Sequence, residues 1–368
     1  MKILFINSVC GTGSTGKICA ELAEKYEKEG NEVKIAFGRH GYVPDRYQKY
    51  AVRIGNDLGV KLHAINTKIT DRHGLASKKA TKEFLKWADE YSPDLLWLHN
   101  IHGYYINYEM LFEWIKKHPT LEVKWTLHDC WAFTGHCCYF DMVRCENWRS
   151  GCKACPQKAS YPSSIILSNS ESNLKRKQAA FSGVNNMTVI TPSKWLADLV
   201  KQSYLGEYPV EVVYNTINTE VFKKTMGDFR ARYGLENKRI ILGVASIWER
   251  RKGLDDFIRL SEMLDKKYTV VLVGLSEKQL KELPANIVGI KRTNGQRELA
   301  EIYTSADVFV NPTYEDNYPT VNLEAKACGT PVITYRTGGS PESVEPENVV
   351  EVGDVLGLYE RIKAIAGE

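Results

Sequence analysis

Twice along this chain a short, almost wholly apolar run is followed by a polar or glycine-rich loop, an amphipathic helix and another apolar run, and few folds accept that grammar. Residues 2–6 read as a strand, 16–29 as a helix with Ile18, Leu22 and Tyr26 at helical spacing, and 33–37 as the next strand. The grammar returns at 94–98 and 123–127, with helices between. Parallel neighbours need a crossover, so such units close as a parallel sheet covered by helices. From Arg239 the pattern restarts: a strand at 240–244, a helix carrying Leu254, Phe257, Ile258 and Leu264, and strands at 270–273, 308–310 and 332–333. The expected fold class is α/β, with two Rossmann-like doubly wound domains at residues 1–206 and 207–368 and a hinge near 207. A chain of 368 residues suits two such domains.

Charge narrows the partners. Forty-nine Lys and Arg against 45 Asp and Glu give +4, too balanced to argue for nucleic acid, while anionic ligands stay open. The first 13 residues end in a glycine loop without a cleavage pattern, so they read as a strand and not a signal peptide. No apolar run approaches the roughly 20 residues of a membrane span, and the expectation is a soluble, cytoplasmic protein. Five of the nine cysteines lie between Cys137 and Cys155, which marks a local site within an insert at about 130–158 and not a secreted disulfide framework.

The densest chemistry lies in residues 311–342. Asp316 and Glu324 are separated by seven residues, one in a loop and one in the helix that follows. The loop between them, Asn317, Tyr318, Pro319, Thr320 and Val321, runs into a helix start, whose unpaired amides and positive dipole end suit an anion. Gly329 and Pro331 stop the helix, and Gly338 and Gly339 let the backbone approach a ligand before Glu342. A phosphate flanked by hydroxyls fits this pattern; the plain alternative is a helix with two solvated acids.

The string acid-x7-Glu-Ala-x-Ala-x-Gly-Thr-Pro-Val, beginning at Asp316, resembles the donor-binding signature of the retaining glycosyltransferases of family 4. That resemblance implies the GT-B fold, two Rossmann-like domains facing across a cleft, the N-terminal one on the acceptor side and the C-terminal one binding the donor, with the last helix returning to the first domain. It implies that Asp316 and the loop after it hold the transferred sugar and that Glu324 holds the nucleotide ribose. The family more often has Glu at the first acid, and here Glu315 stands one residue earlier.

Four other segments enter the same reading. Residues 11–17 fit a phosphate-binding P-loop until Ile18, which cannot hold magnesium, and His99 stands where a magnesium-binding acid is required. The resemblance instead implies that Gly13 and Gly16 offer amides to the donor's diphosphate. Lys252 matches the family's Lys-Gly position, with Arg250 or Arg251 as a second cation, because Ser246 stands where the family has Arg. His128 follows a strand at the sheet's carboxyl end and matches a family histidine that contacts the sugar and acceptor region; His99 and His102 are weaker candidates. Lys61, Lys68, Arg72, Lys78, Lys79, Lys82 and Lys86, with Phe84 and Trp87, suggest peripheral membrane contact through residues 77–86, against the alternative of a solvated helix face.

Cys137 or Cys138, with Cys145, Cys152 and Cys155, offers four thiolates for a tetrahedral structural zinc, against the alternative of reduced buried cysteines. A similar Cys-Tyr, Cys, Gly-Cys-x2-Cys-Pro insert is found in the family branch of colanic-acid and capsular polysaccharide biosynthesis. The expected activity is retaining transfer of a sugar from a UDP- or GDP-sugar to a hydroxyl of a glycan or lipid-linked acceptor. It needs no catalytic cofactor and no nucleic acid; Lys252, Arg251, His128 and Asp316 are the catalytic candidates. The competing readings are a P-loop-like nucleotide hydrolase and a non-catalytic sugar-nucleotide scaffold.

Overall fold

The computed structural model describes residues 1–367, which divide into two units, Met1–Tyr214 and the residues from Asn215 onward. The first unit is built on seven parallel strands: β1 (Lys2–Asn7), β2 (Glu32–Phe37), β3 (Ala51–Arg53), β4 (Leu95–Leu98), β5 (Glu122–Thr126), β6 (Met187–Thr191) and β7 (Val210–Val212). Their order is β3-β2-β1-β4-β5-β6-β7, so the winding reverses between β1 and β4. Both faces of the sheet are buried, as continuous apolar strands require: Leu4 and Ile6 enter one core while Ile3 and Phe5 enter the other. The first helix spans Gly13–Lys28 and so starts three residues earlier than its periodicity predicts.

The boundary between units falls at 214/215, not near 207. Residues 210–212 pair with β6, Val189 opposite Val210, and extend the N-terminal sheet by one strand. A β-rich segment beside an exposed sheet edge adds to that sheet, which its sequence alone does not disclose.

The second unit has six parallel strands, β8 (Arg239–Val244), β9 (Tyr268–Val273), β10 (Ile287–Ile290), β11 (Val308–Asn311), β12 (Val332–Tyr335) and β13 (Val349–Val350), in the order β10-β9-β8-β11-β12-β13. Val270 and Leu272 face one core, and Val271 and Val273 the other. Here the winding reverses between β8 and β11. The closing helix Val355–Ala366 was expected to return to the first domain; its buried face, with Leu358 and Ile362, packs in the core of its own unit.

The cysteine-bearing insert follows β5 and carries the short helix Asn147–Ser150. Trp131, Phe133, Phe140 and Trp148 join the same core as Leu4 and Leu96, so the insert is folded onto the sheet and not appended to it. Buried Asp71 ties it down, accepting from the Asn169 amide at 2.7 Å and pairing with the His136 imidazole.

Candidate functional site

Ligands of open parallel sheets bind beyond the strand ends where the winding reverses. In the C-terminal unit these are the loops after β8 and β11, and they carry the predicted cations and the first acid. Arg250–Lys252 form one 3₁₀ turn closed by Gly253 at φ +73°, after which the helix Leu254–Met263 begins. The loop after β11 is laced to that turn: the Tyr314 amide donates to the Arg251 carbonyl at 2.7 Å, and the Arg251 guanidinium donates to the Glu315 carbonyl at 3.1 Å.

This lacing brings Lys252 Nζ within 2.6 Å of Asp316 Oδ2, with side chains 19% and 15% exposed. Asp316 Oδ1 accepts from the Asn317 amide at 2.9 Å. Glu315, its neighbour in sequence, is buried, so Asp316 is the acid presented to the cation. Two glycines hold the loops this close. A Cβ on Gly253 would lie 2.2 Å from the Pro312 carbonyl oxygen, and one on Gly338, at φ +53°, would lie 1.8 Å from that of Asp316.

Beyond the loop, Pro319 precedes the helix Thr320–Ala327 and has no side-chain acceptor with which to cap its first amides. The helix is fixed from below by buried Asn322, which accepts from Asn311 at 2.9 Å and donates to Ser343 at 2.8 Å. Glu324 lies on this helix and accepts from the buried Tyr303 hydroxyl at 3.1 Å. Tyr318, Thr320 and Val321 are half-buried, Asn317 and Pro319 buried, Arg250 exposed, and Glu342 half-buried in the turn Ser340–Ser343. Lys252, Arg251, Asp316 and the 317–321 loop therefore stand together.

A support the sequence reading missed is Asp256. Almost fully buried, it accepts from the hydroxyls of Tyr314 at 2.8 Å and Tyr335 at 3.0 Å, pinning the β11 and β12 loops. An acid at a helix start is ordinarily favoured there by the dipole, which hides a second role.

The N-terminal unit has its own reversal point, after β1 and β4. Gly13 opens the first helix at φ +64° with open space around it, and the amides without an intrahelical carbonyl are those of Gly13, Ser14 and Thr15. Gly16 lies a turn inside the helix and is buried, where a Cβ would meet Val9 at 2.8 Å. Its place in the helix gives it a packing task, because a residue four beyond the cap can reach a helical carbonyl.

Histidines gather after β4 and β5. His99 Nδ1 and His128 Nε2 share a hydrogen bond at 3.0 Å with their rings stacked. His102 joins a chain: Nδ1 meets the Tyr161 hydroxyl at 3.2 Å, Nε2 meets Asp129 Oδ2 at 3.0 Å, and Asp129 Oδ1 accepts from the Trp131 amide at 2.9 Å. The strand order could have revealed this chain, since β4 and β5 are neighbours and their trailing loops must meet.

Burial favours the neutral form of four imidazoles, those of His63, His73, His99 and His128. It pushes His128 down to about 4, with Asp129 opposing and His102 assisting, and His63 down to about 4; His73 and His99 lie well below the ordinary value, again chiefly from burial. An unfolded chain takes up protons below about pH 6.5 that the folded chain refuses. The stability is therefore fully present above that pH and is lost as pH falls toward 4. Thermal melts across this range should show a steep decline, and a melting temperature flat down to about pH 4.5 would contradict it.

The four cysteines Cys137, Cys145, Cys152 and Cys155 all line one small cavity of about 10 Å³. Cys137 and not Cys138 lines this cavity, and Cys138 turns toward His102 and Asp129. Among the described residues no cysteine is joined in a disulfide.

Known proteins resemble this chain in sequence and in fold. Residues 238–367 match the family model described as glycosyl transferases group 1. The putative colanic acid biosynthesis glycosyl transferase WcaC of Escherichia coli K12 is 26% identical over 281 residues, 74% of this chain and 67% of that protein. Other curated relatives align over shorter stretches, such as 32% and 43% of their own lengths. Among solved structures, sucrose-phosphate synthase of Thermosynechococcus elongatus superposes with a TM-score of 0.70 at 17% identity, over 100% of this chain and 90% of that one. Anabaena Alr3699/HepE, solved in complex with UDP, gives 0.64 at 16% identity over 99% and 89%. The chain is therefore a glycosyltransferase, with residues 238–367 of its C-terminal unit matching group 1 of those enzymes and with the two parallel-sheet units of the GT-B fold.

Proposed function

We propose that the chain transfers a sugar, with retention of anomeric configuration, from a nucleotide-diphosphate sugar to a hydroxyl of a glycan or lipid-linked acceptor in surface polysaccharide synthesis. The observation that carries this reading is the Lys252–Asp316 pair held at the reversal point beside an uncapped helix start. The carbon–oxygen bond to the donor phosphate breaks, the acceptor oxygen bonds to the same carbon, and its proton passes to the departing phosphate on the same face. Negative charge grows on the diphosphate, and the Lys252 ammonium, the Arg251 guanidinium and the amides around residues 317–321 oppose it. Asp316, freed as Lys252 turns to the phosphate, accepts from sugar hydroxyls, and Glu324 accepts from the ribose.

The complex of HepE with UDP supports a nucleotide-diphosphate sugar donor, UDP- or GDP-linked in this reading, and the colanic acid biosynthesis for which the E. coli relative is named supports a polysaccharide acceptor. Acceptor recognition is assigned to the His99, His102 and His128 loops, and the Gly13 helix start is assigned an anion. The protein would work in the cytoplasm at the inner membrane face. Among the described residues no helix is long and apolar enough to cross a membrane.

A thermal-shift panel with UDP, GDP, ADP and ATP, each with and without magnesium, tests the donor site, since a ligand bound only by the folded state raises the melting temperature. A metal-independent shift by UDP or GDP that disappears in Glu324→Ala is the expected result. A shift seen only with magnesium–ATP and lost in Lys17→Ala would overturn it in favour of a nucleotide hydrolase. Proton NMR of the product's anomeric centre then decides retention.

A further inference from the structure

The helix Asp57–Thr70 turns an apolar stripe outward. Leu58, Leu62, Ile65 and Ile69 recur at helical spacing and are 44–66% exposed, while the opposite face buries His63 and Thr67. The stripe does not end with the helix. Residues 165–167 are joined to its last turn by hydrogen bonds from the Ile165 amide to the Lys68 carbonyl, 2.7 Å, and from the Leu167 amide to the Ile69 carbonyl, 3.2 Å. Ile165, Ile166 and Leu167 are themselves 48–72% exposed. Scattered apolar residues on a surface mean little, but seven large ones on two hydrogen-bonded segments form a patch that water alone does not favour.

Charge says what covers it. Lys61 and Lys68 are exposed along one flank of the stripe, Arg72 follows the helix, and Lys158 donates to the Ile166 carbonyl at 2.8 Å. The acids of this helix region are otherwise engaged: Asp57 pairs with Arg53, and Asp71 is buried. An apolar face edged by cations fits the boundary between acyl chains and anionic headgroups, with lysine stems covering the border.

We propose that this face docks on an anionic lipid bilayer. Peripheral contact was expected from residues 77–86, and this face lies on the helix before them. In the helix Lys78–Tyr91, Phe84 and Leu85 point into the core, leaving a solvated face on which Lys78, Lys79, Lys82 and Lys86 alternate with Glu83, Asp89 and Glu90, whereas the preceding helix offers both apolar and basic groups. The inference rests on this surface alone and holds whatever acceptor the enzyme takes.

Co-sedimentation of the full chain with phosphatidylcholine vesicles, with and without phosphatidylglycerol, tests it. Binding should be at least about tenfold stronger to the anionic vesicles, fall with salt, and weaken about fivefold for each of Lys61→Gln and Lys68→Gln. Leu62→Ser with Ile65→Ser should abolish it without lowering the melting temperature, because both side chains already face water. No binding to either vesicle, or a dimer in light scattering that the Leu62→Ser, Ile65→Ser variant dissolves, would overturn it, the second outcome showing that another copy covers the patch.

Independently, the geometry points to a structural zinc ion in the cavity lined by Cys137, Cys145, Cys152 and Cys155. Its volume of about 10 Å³ holds one water-sized particle, which suits a single ion. The Gly135 amide donates to Cys152 Sγ at 3.1 Å, a contact that stabilises a thiolate. The Lys177 side chain is buried in the same core, donating to the carbonyls of Trp131 at 2.7 Å and Thr134 at 3.0 Å. Four thiolates around Zn²⁺ leave two negative charges, which a buried cation helps to balance. The thiol protons leave to solvent as the sulfurs draw in on the ion.

Among the described residues, the set of donor atoms already within 4.8 Å of one another is His102, Asp129 and Cys138. The first two are satisfied by Tyr161, the Trp131 amide and each other, so no ion is needed there. Elemental analysis of reduced protein purified without chelator should find about one zinc per chain, falling about tenfold in Cys145→Ser and unchanged in Cys138→Ser. Cobalt exchanged into the wild-type chain should give the visible absorption of a tetrahedral thiolate site, which does not depend on any variant folding. A zinc-free wild type that takes up no cobalt, a Cys137–Cys155 disulfide found by mass spectrometry, or zinc lost only from Cys138→Ser would each overturn the assignment.

Discussion

Lys252→Ala should lower the rate of sugar transfer by about two to three orders of magnitude, the loss typical when one preorganised group opposing transition-state charge is removed. The effect is larger than a lost surface charge because Lys252 works from a site only 19% exposed, where the screening that weakens exposed ion pairs is reduced. Truncation also leaves the Asp316 carboxylate unpaired beside the position the diphosphate must occupy, so repulsion replaces attraction. The loss should fall mainly on kcat, since the charge being opposed grows as the phosphate leaves. Lys252→Arg keeps the charge but not the compact point geometry and should recover only part of the rate. Transfer assays with a melting-temperature control decide the matter. Half or more of wild-type activity in a folded Lys252→Ala protein would remove Lys252 from the mechanism.

Gly338→Ala should abolish donor binding and destabilise the C-terminal unit by about 3 kcal/mol or more. A left-handed backbone costs an L-residue about 1–2 kcal/mol, and displacing packed neighbours adds about 1–3 kcal/mol. The added methyl would lie 1.8 Å from the Asp316 carbonyl oxygen, a backbone atom that cannot swing aside as a side chain could. The 312–319 loop must therefore move, taking Asp316 away from Lys252. Gly13→Ala is the matched control: its φ is +64°, but nothing lies within 4 Å of the added methyl, so only the conformational cost of about 1–2 kcal/mol remains. Denaturant titration of both variants, with nucleotide-induced thermal shift, measures the difference. Equal losses in the two would mean that the close approach at Gly338 carries no weight.

Much of this was legible before folding. Apolar runs at fixed spacing dictated parallel strands, glycine and proline marked where helices stop, and the string from Asp316 to Val332 located the loops proposed to bind the donor. Element ends were less secure: the first helix begins at Gly13 because Thr12 already has the extended backbone of a cap, and residues 210–212 joined the first sheet because an edge strand lay open to them. Asp256 escaped notice because its partners, Tyr314 and Tyr335, lie 58 and 79 residues away in sequence.

The sequence by itself determined that there are two parallel sheets and which loops follow their strands, because periodicity and crossover requirements are local properties of the chain. Only the tertiary structure decided that Asp316 and not Glu315 meets Lys252, that Cys137 and not Cys138 joins the other cysteines, and that the helix Asp57–Thr70 and not Lys78–Tyr91 shows its apolar side to solvent. Adjacent residues project in different directions. Which of them faces inward is set by the twist of each loop and by the neighbour that packs against it, and those neighbours are distant in the chain.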